Sequence, residues 1–424
     1  MNQKLDQSET KDKAAADSAR ARAVKSSVEE IIEKIRSHGD QGLDEIIDRL
    51  NDIKKPGYKL SEAEVEAAIE RVKSGPEDNK QAIETAAGNI EKFARAIMEN
   101  AKSITLDNDE FSSGVDFVPV ERAGCYVPGG KYPLPSTALM TTTTASVAGV
   151  KEICVATPAL CDETIYAGSL YGVKEFYILG GAQAIAAMAL GTESVKRVDM
   201  IVGPGNAYVT EAKRQLLGEV GIDMLAGPSE IAIIADGKQN AEWIAVDMVS
   251  QAEHGDDARA CLFTDSQELA DSVKEEIERL LLQLNQTSSY LELGPDQIEI
   301  SVLPSIKACI EKVNELAPEH LEIQIEHCEE QQEELKEKLK NYGTVLFGAL
   351  STVPYGDYAA GPNHTLPTNR SARFSGALNP FTFLRAQTWL KVKPGATILP
   401  RTTMTLANVE GLRAHARAAE VRLD

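Results

Sequence analysis

Four short stretches of the 424-residue chain hold the side chains best suited to metal binding and proton transfer. In "SQAEHG", Gln251 and His254 stand three apart, a spacing that puts two side chains on one helix face. Imidazole is the commonest nitrogen ligand for borderline metals, and an amide offers its carbonyl oxygen. A solvated helix end would account for the same pair. In "ELAPEHLEI", Glu319 and His320 follow Pro318 directly. At a helix start or a turn both can enter one cleft, where a carboxylate beside an imidazole suits acid–base work near neutral pH. The plain alternative is a Glu placed by the helix dipole next to an incidental His. "PYGDYAAGPNHTLPT" is dense in Gly and Pro. It offers Asp357 as an anionic metal donor and His364 as a ligand or as a brace for the loop. "EGLRAH" sets Glu410 and His415 five apart near the carboxyl end. His38 and His327 sit in charged helical contexts and carry no such signal.

Glycine turns after apolar runs form a second group. "GCYVPGGKYPLPSTALM" predicts a tight turn at Gly129–Gly130 and a helix from about Ser136. "ILGGAQAIAAMALG" and "IVGPGNAYVTEAK" both run strand, glycine turn, helix. That is how backbone amides and a helix amino end approach a phosphate. Neither holds a full G-x-G-x-x-G, because after Gly203 and Gly205 the third place is Tyr208.

The elements that must position these residues change character along the chain. Residues 1–100 have apolar positions at helical spacing, and Ser61 with Glu64 is a capping-box pattern. From about residue 117, short Val- and Ile-rich runs alternate with helical stretches, which implies parallel sheets with crossover helices. The units are too many for one small sheet. The expectation is an α/β protein with two Rossmann-like sheets, one inserted in the other. Its parts would be an N-terminal helical extension (1–22), a larger domain (23–125 and 231–375), an inserted domain (126–230) and a C-terminal segment (376–424). The last segment is small for a core of its own and should pack on the body or on a second subunit.

A net charge of −21 with no basic stripe excludes a nucleic-acid binder and disfavours an anionic membrane surface. The polar first residues and the lack of any run of about 18 apolar ones give no signal peptide or membrane span. Six cysteines without paired spacing read as reduced, mostly buried thiols in a cytoplasmic protein.

Together, "YVPGG", "PSTALM", "GGAQAIAA", "GTESV", "GPGNAYVTEAKRQL", "GIDMLAGPSE", "SQAEHG", "APEHL", "GDYAAGPNHTLPT" and "EGLRAH" occur in one order over nearly the whole chain. In this the sequence resembles the histidinol dehydrogenase family. The resemblance implies a zinc- and NAD-dependent enzyme of histidine biosynthesis that oxidises histidinol through the aldehyde to histidine. It implies one zinc per subunit, held by Gln251, His254, Asp357 and His415, with Glu319 and His320 as the acid–base pair. By the same resemblance the substrate would meet Ser229 and Glu410 together with Gln251, His254, His320, Asp357 and His415. NAD would meet Tyr126, Gln183 and Asn206, and His364 would support the site. It also implies a homodimer whose C-terminal segment crosses to the partner and completes the partner's site.

Two features depart from the family's pattern. Lys131 and Tyr132 stand where small residues are usual, and the segment "NPFTFLRAQTWLKVKPGATILP" is atypical. A branch of the family that oxidises sulfonated diols carries a basic and an aromatic residue at this point, so another polar alcohol is the alternative substrate. Lys131 pointing to solvent or to a cofactor phosphate is the plain one. A zinc hydrolase with Glu319 as base is a further alternative. It would leave the glycine turns without a phosphate. A non-catalytic metal scaffold would leave Glu319–His320 without a purpose.

Overall fold

The computed structural model describes residues 2–50, 58–129, 132–287, 293–294 and 296–423, with side chains from residue 19 onward in the first helix. Helix α1 (Asn2–Leu50) breaks at Gly39, where φ is 54°. Helix α2 (Glu62–Ser74) opens on the Ser61–Glu64 capping box, and α3 (Glu77–Met98) follows. Strands β1 (Ile104–Asp107) and β2 (Phe111–Pro119) form an antiparallel pair.

The first parallel sheet starts at β3 (Arg122–Tyr126). It continues through α4 (Pro135–Val147), β4 (Glu152–Thr157), α5 (Asp162–Ser169), β5 (Glu175–Ile178), α6 (Gly181–Leu190), β6 (Met200–Val202), α7 (Ala207–Leu216) and β7 (Gly221–Ile222). The second runs through β8 (Glu230–Ala235), α8 (Ala241–Ala252), β9 (Arg259–Thr264), α9 (Gln267–Thr287), β10 (Ile298–Val302), α10 (Ile306–Leu316), β11 (His320–Gln324), α11 (Gln332–Lys338) and β12 (Thr344–Phe347). Their strand orders, β5-β4-β3-β6-β7 and β10-β9-β8-β11-β12, share one winding pattern. Each sheet reverses direction beside its first strand, and in such sheets ligands bind past the carboxyl ends at that switch point.

Both sheets are covered on both faces, which is why strands such as "IAIIA" are apolar throughout. Helices α1, α6 and α7 share one core with the first sheet, and α2 to α5 share another. Helices α8 and α9 cover one face of the second sheet, and α10 and α11 the other.

This packing corrects the expected insertion. The two sheets follow each other in sequence, and α1 to α3 pack chiefly on the first sheet, with α3 also touching the 231–375 unit where Asn89 Nδ2 donates to Ala359 O at 2.8 Å. Spacing marked the helices correctly but held no information about which sheet they cover. The expected boundary at 125/126 also falls inside β3.

After α12 (Val353–Tyr358) the chain crosses back. Strand β13 (Leu384–Val392) pairs antiparallel with β2 over nine residues, and α13 (Ile398–Val409) and α14 (Arg413–Glu420) end the chain. No helix among the described residues is long and apolar enough to cross a membrane. The six cysteines are unpaired, and all but Cys161 are buried.

One buried ion pair fixes the glycine turn after β6. Lys213 Nζ donates to Asp223 Oδ1 at 2.6 Å and to Gly203 O at 2.5 Å, while Gly203 N donates to Asp223 Oδ2 at 2.7 Å. Gly203 has φ 113°, and a Cβ there would meet Tyr126 O at 2.1 Å. Asp223→Asn leaves the Lys213 charge buried without its counter-ion. The expected loss is about 3–5 kcal/mol in urea unfolding; an unchanged midpoint would refute this account of the turn.

Candidate active site

The amino ends of the second sheet's strands gather Glu319 and His320, the expected acid–base pair. Ala317, in the left-handed region at φ 52°, ends α10 and turns the chain so that Pro318–Glu319 lead directly into β11. Glu319 and His320 are thus brought together at a turn entering a strand; the helix start considered for them does not occur. Glu319 Oε2 accepts from Glu230 N at 2.9 Å, which sets Ser229 and Glu230 beside it. His320 Nε2 lies 3.8 Å from Glu319 Oε1 and 4.0 Å from Asp357 Oδ1.

Helix α8 delivers Gln251 in its last turn, and His254 follows two residues after its end, with its N–H directed to Gln251 O at 3.4 Å. The two are neighbours through a turn, not through one continuous helical face. Gln251 is buried, and its Nε2 lacks a partner, as does the buried Nδ1 of His320. Asp357 comes from α12. His364 ties that helix to the first sheet: its Nδ1 stands 2.8 Å from Asp357 O, and its Nε2 3.2 Å from Thr137 Oγ1 on α4. A carbonyl only accepts, so Nδ1 carries the proton and Nε2 takes the threonine hydroxyl.

Burial sets the charge state of the group. It lowers His320 to about 3, with the neighbouring His364 and His254 adding to the effect. It lowers His364 to about 4. It raises Asp357 to about 7, and it raises Glu319 well above the usual carboxyl range, with Asp357 and Glu230 adding repulsion. His254 is exposed at its surface, yet the protein around its ring also lowers its pKa. The exposed surface is the fact that bears on metal access. At neutral pH the imidazoles of His320 and His364 are therefore uncharged, and among the described residues no Lys or Arg pairs with the carboxyls of Glu319 and Asp357.

The carboxyl ends of the first sheet hold the expected nucleotide contacts. Tyr126 ends β3, and its hydroxyl accepts from Gly181 N at 3.0 Å. Gln183 lies buried in the first turn of α6. Asn206 caps α7, with its Oδ1 accepting from Tyr208 N and Val209 N. These three are drawn towards one another by the Tyr126–Gly181 bond and the close approach of Gly203 to Tyr126. Helix α6 has no side-chain cap, and the Tyr126 hydroxyl takes the N–H of its first residue, Gly181.

The chain does not bring Glu410 and His415 to this cluster. Both are exposed, Glu410 at the end of α13 and His415 on α14, and these two helices pack chiefly on each other. Among the described residues no group of three or more His, Cys, Asp and Glu stands ready to hold a metal ion. Lys131 lies outside the described residues, and Tyr132 beside it is exposed.

A family model for histidinol dehydrogenase matches residues 14–423. The chain belongs to the histidinol dehydrogenase family. It is 40% identical over 413 residues to the histidinol dehydrogenase of Methanocaldococcus jannaschii, with 93% of this chain and 92% of that protein covered. The histidinol dehydrogenase of Methanopyrus kandleri is 42% identical over 407 residues, with 93% of each covered. The crystal structure of the Elizabethkingia anophelis histidinol dehydrogenase superposes with a TM-score of 0.84 at 35% identity, covering 94% of this chain and 92% of that one.

Within this family fold, the motifs missed Thr137, Glu230 and the buried polar residues Asp247, Glu322 and Gln324 beneath the site. The available signals were positional. Asp247 precedes Gln251 by one helical turn, and Glu322 and Gln324 alternate with His320 along β11, inside an otherwise apolar strand. His364→Phe would fill the space of the ring but delete both of its hydrogen bonds, leaving the Asp357 carbonyl unpaired. A loss of about 1–3 kcal/mol is expected by urea denaturation; a neutral result would mean that His364 does not join α12 to α4.

Proposed function

We propose that the protein oxidises L-histidinol through histidinal to L-histidine, passing two hydrides in turn to NAD. The observation that carries this reading is the meeting of Glu319, His320 and Asp357, with His254 close enough to His320 to act on its charge, at the amino edge of the second sheet, in a chain of this family.

The residues fit a zinc ion. An amide, an imidazole and a carboxylate form an N/O donor set suited to that metal, and Gln251 holds a buried amide with an unpartnered atom. Zinc would be held by Gln251, His254 and Asp357, with His415 of a second subunit as the fourth ligand, and would supply a grip on the substrate's nitrogen donors. NAD would lie at the carboxyl ends of the first sheet, near Tyr126, Gln183 and Asn206, and accepts the hydrides.

His320, kept neutral by burial, takes the alcohol proton. Glu319, its proton affinity raised by burial, activates water for the second oxidation. Ser229 and Glu410 contact substrate, and His364 holds Asp357 in place. The pairing of subunits is supported by the C-terminal segment. Strand β13 is exposed along nearly its whole length, and Ile398, Leu406 and Val409 on α13 are open to solvent at 70%, 58% and 80%. Exposed apolar surface of this kind is normally covered in an assembly.

The direct test follows NADH at 340 nm with histidinol beside sulfonated and phosphorylated diols. Histidinol should give the signal. Turnover of a diol in its place would assign the substrate to the Lys131–Tyr132 alternative, and no turnover with any alcohol would revive the hydrolase alternative. His320→Ala should keep its zinc and slow alcohol oxidation about 100-fold or more, while Glu319→Gln should slow the second oxidation more than the first. Loss of zinc in His320→Ala would reverse these roles.

Shared sites have a further test. His254→Ala and His415→Ala are each expected to be inactive. Mixed and reassembled, they should recover up to about a quarter of wild-type activity, because a random mixture is half heterodimer with one intact site in two. No recovery in a demonstrated heterodimer would place His415 in its own subunit's site.

A further inference from the structure

Below the acid–base pair lies a polar group that the reaction does not use. Asp247 sits on α8 one turn before Gln251, and Glu322 on β11 two residues after His320, both buried. The two carboxyls share one donor, Gln324, and each acts on the other's proton affinity. Gln324 Nε2 donates to both, at 3.2 Å to Asp247 Oδ2 and 2.9 Å to Glu322 Oε2. The remaining oxygens hold the start of α12. Thr352 Oγ1 donates to Asp247 Oδ1 at 2.7 Å, and Val353 N donates to Glu322 Oε1 at 3.1 Å.

Two carboxyls this near one another in a dry interior disfavour each other's ionisation. Burial raises both groups, Glu322 the more strongly. Apolar side chains of the same volume would pack here without that desolvation cost. What they lack is direction. Apart from the Gln324–Glu322 bond within β11, each bond in this group fixes a distance between two of the three elements that carry Gln251, His320 and Asp357.

We infer that the Asp247–Glu322 pair, with Gln324 and Thr352, is a positioning brace that sets α8, β11 and α12 in register and so positions Gln251, His320 and Asp357, which these three elements carry. What those three residues then do rests on the function proposed above; the brace itself rests on its hydrogen bonds.

The test compares Thr352→Val, Glu322→Gln and Glu322→Leu in the full-length protein. Three quantities are read: zinc affinity by chelator competition, melting temperature, and amide hydrogen exchange of residues 353–358 in metal-free protein. Thr352→Val keeps the side-chain shape and removes only the bond to α12. It should melt within a few degrees of wild type while exchange at 353–358 speeds about tenfold and zinc binds about tenfold more weakly. Glu322→Gln keeps a donor for Asp247, and the Gln324 Oε1 atom, buried without a partner, can accept from it. It should stay within about threefold of wild type for zinc, whereas Glu322→Leu should lose about 10–100-fold.

Wild-type exchange and zinc affinity in Thr352→Val would overturn the brace, as would Glu322→Gln failing as badly as Glu322→Leu. Should Glu322→Leu not fold, the other two variants decide. Should the wild type bind no zinc, the functional reading fails, and the exchange of 353–358 in Thr352→Val still decides the brace: acceleration supports it, and no change overturns it.

Discussion

A carboxylate removed from water is costly unless something near it balances the charge. Glu319 is buried with the Glu230 N–H as its hydrogen-bond donor, and the carboxyls of Asp357 and Glu230 press against it. The imidazoles around it give no relief, because the same burial keeps His320 and His364 neutral. The cluster is therefore short of positive charge. A divalent cation held by Asp357 and the imidazole of His254, a nicotinamide ring, and a substrate with nitrogen donors would each redress that shortage. The constraint explains why acid–base residues occupy so dry a place. Burial moves the proton affinities of both groups, upward for Glu319 and downward for His320.

Such a site needs rigid walls, and the two sheets supply them from opposite ends of their strands. The first contributes carboxyl ends, where the Lys213–Asp223 pair ties the turn at Gly203 to α7 and to the segment after β7. The second contributes the amino ends of β8 and β11. The seam between them is stitched by polar contacts. Asn363 Nδ2 donates to Met140 O at 2.9 Å, His364 meets Thr137, and Gly227 N donates to the Thr368 hydroxyl. All three run from the loop 363–368 to the first sheet's side of the molecule. Gly361, with φ 113°, and Pro362 lead into that loop, which crosses the seam and still brings a ring nitrogen to the Asp357 carbonyl.

Much of this was legible in order and little of it in space. Strand–turn–helix units, the Ser61–Glu64 box and the clustering of polar motifs around glycine and proline all follow from local rules, and local rules act within a few residues. Which sheet α1 to α3 would cover was not local. Their apolar stripes fit either sheet, and the choice was made by the match to α6 and α7 on one face and α4 and α5 on the other. The ending of α8 was misjudged for a related reason. Spacing of three residues suits a helix and also the turn that closes one, and only the bond from His254 N to Gln251 O distinguishes them. Asp247 and Glu322 were invisible as a pair because 75 positions separate them, and each alone resembles an ordinary polar residue in an amphipathic element.

The C-terminal segment carries the same logic to the surface. Strand β13 is joined to the body through its pairing with β2, and beyond it α13 and α14 rest chiefly on each other, with Leu390, Ile398, Leu406 and Val409 left open. A chain rarely leaves that much apolar surface on a segment so weakly tied to its own core. On the proposed function, the donor set within one chain would be short by one strong ligand, since Gln251 would contribute only an amide beside His254 and Asp357. An exposed imidazole at His415 on an apolar, outward-facing segment is suited to meet that need in a neighbouring copy. Subunit pairing would then be a condition of assembling the metal site at all, and the stability of the dimer and the affinity for metal would rise and fall together.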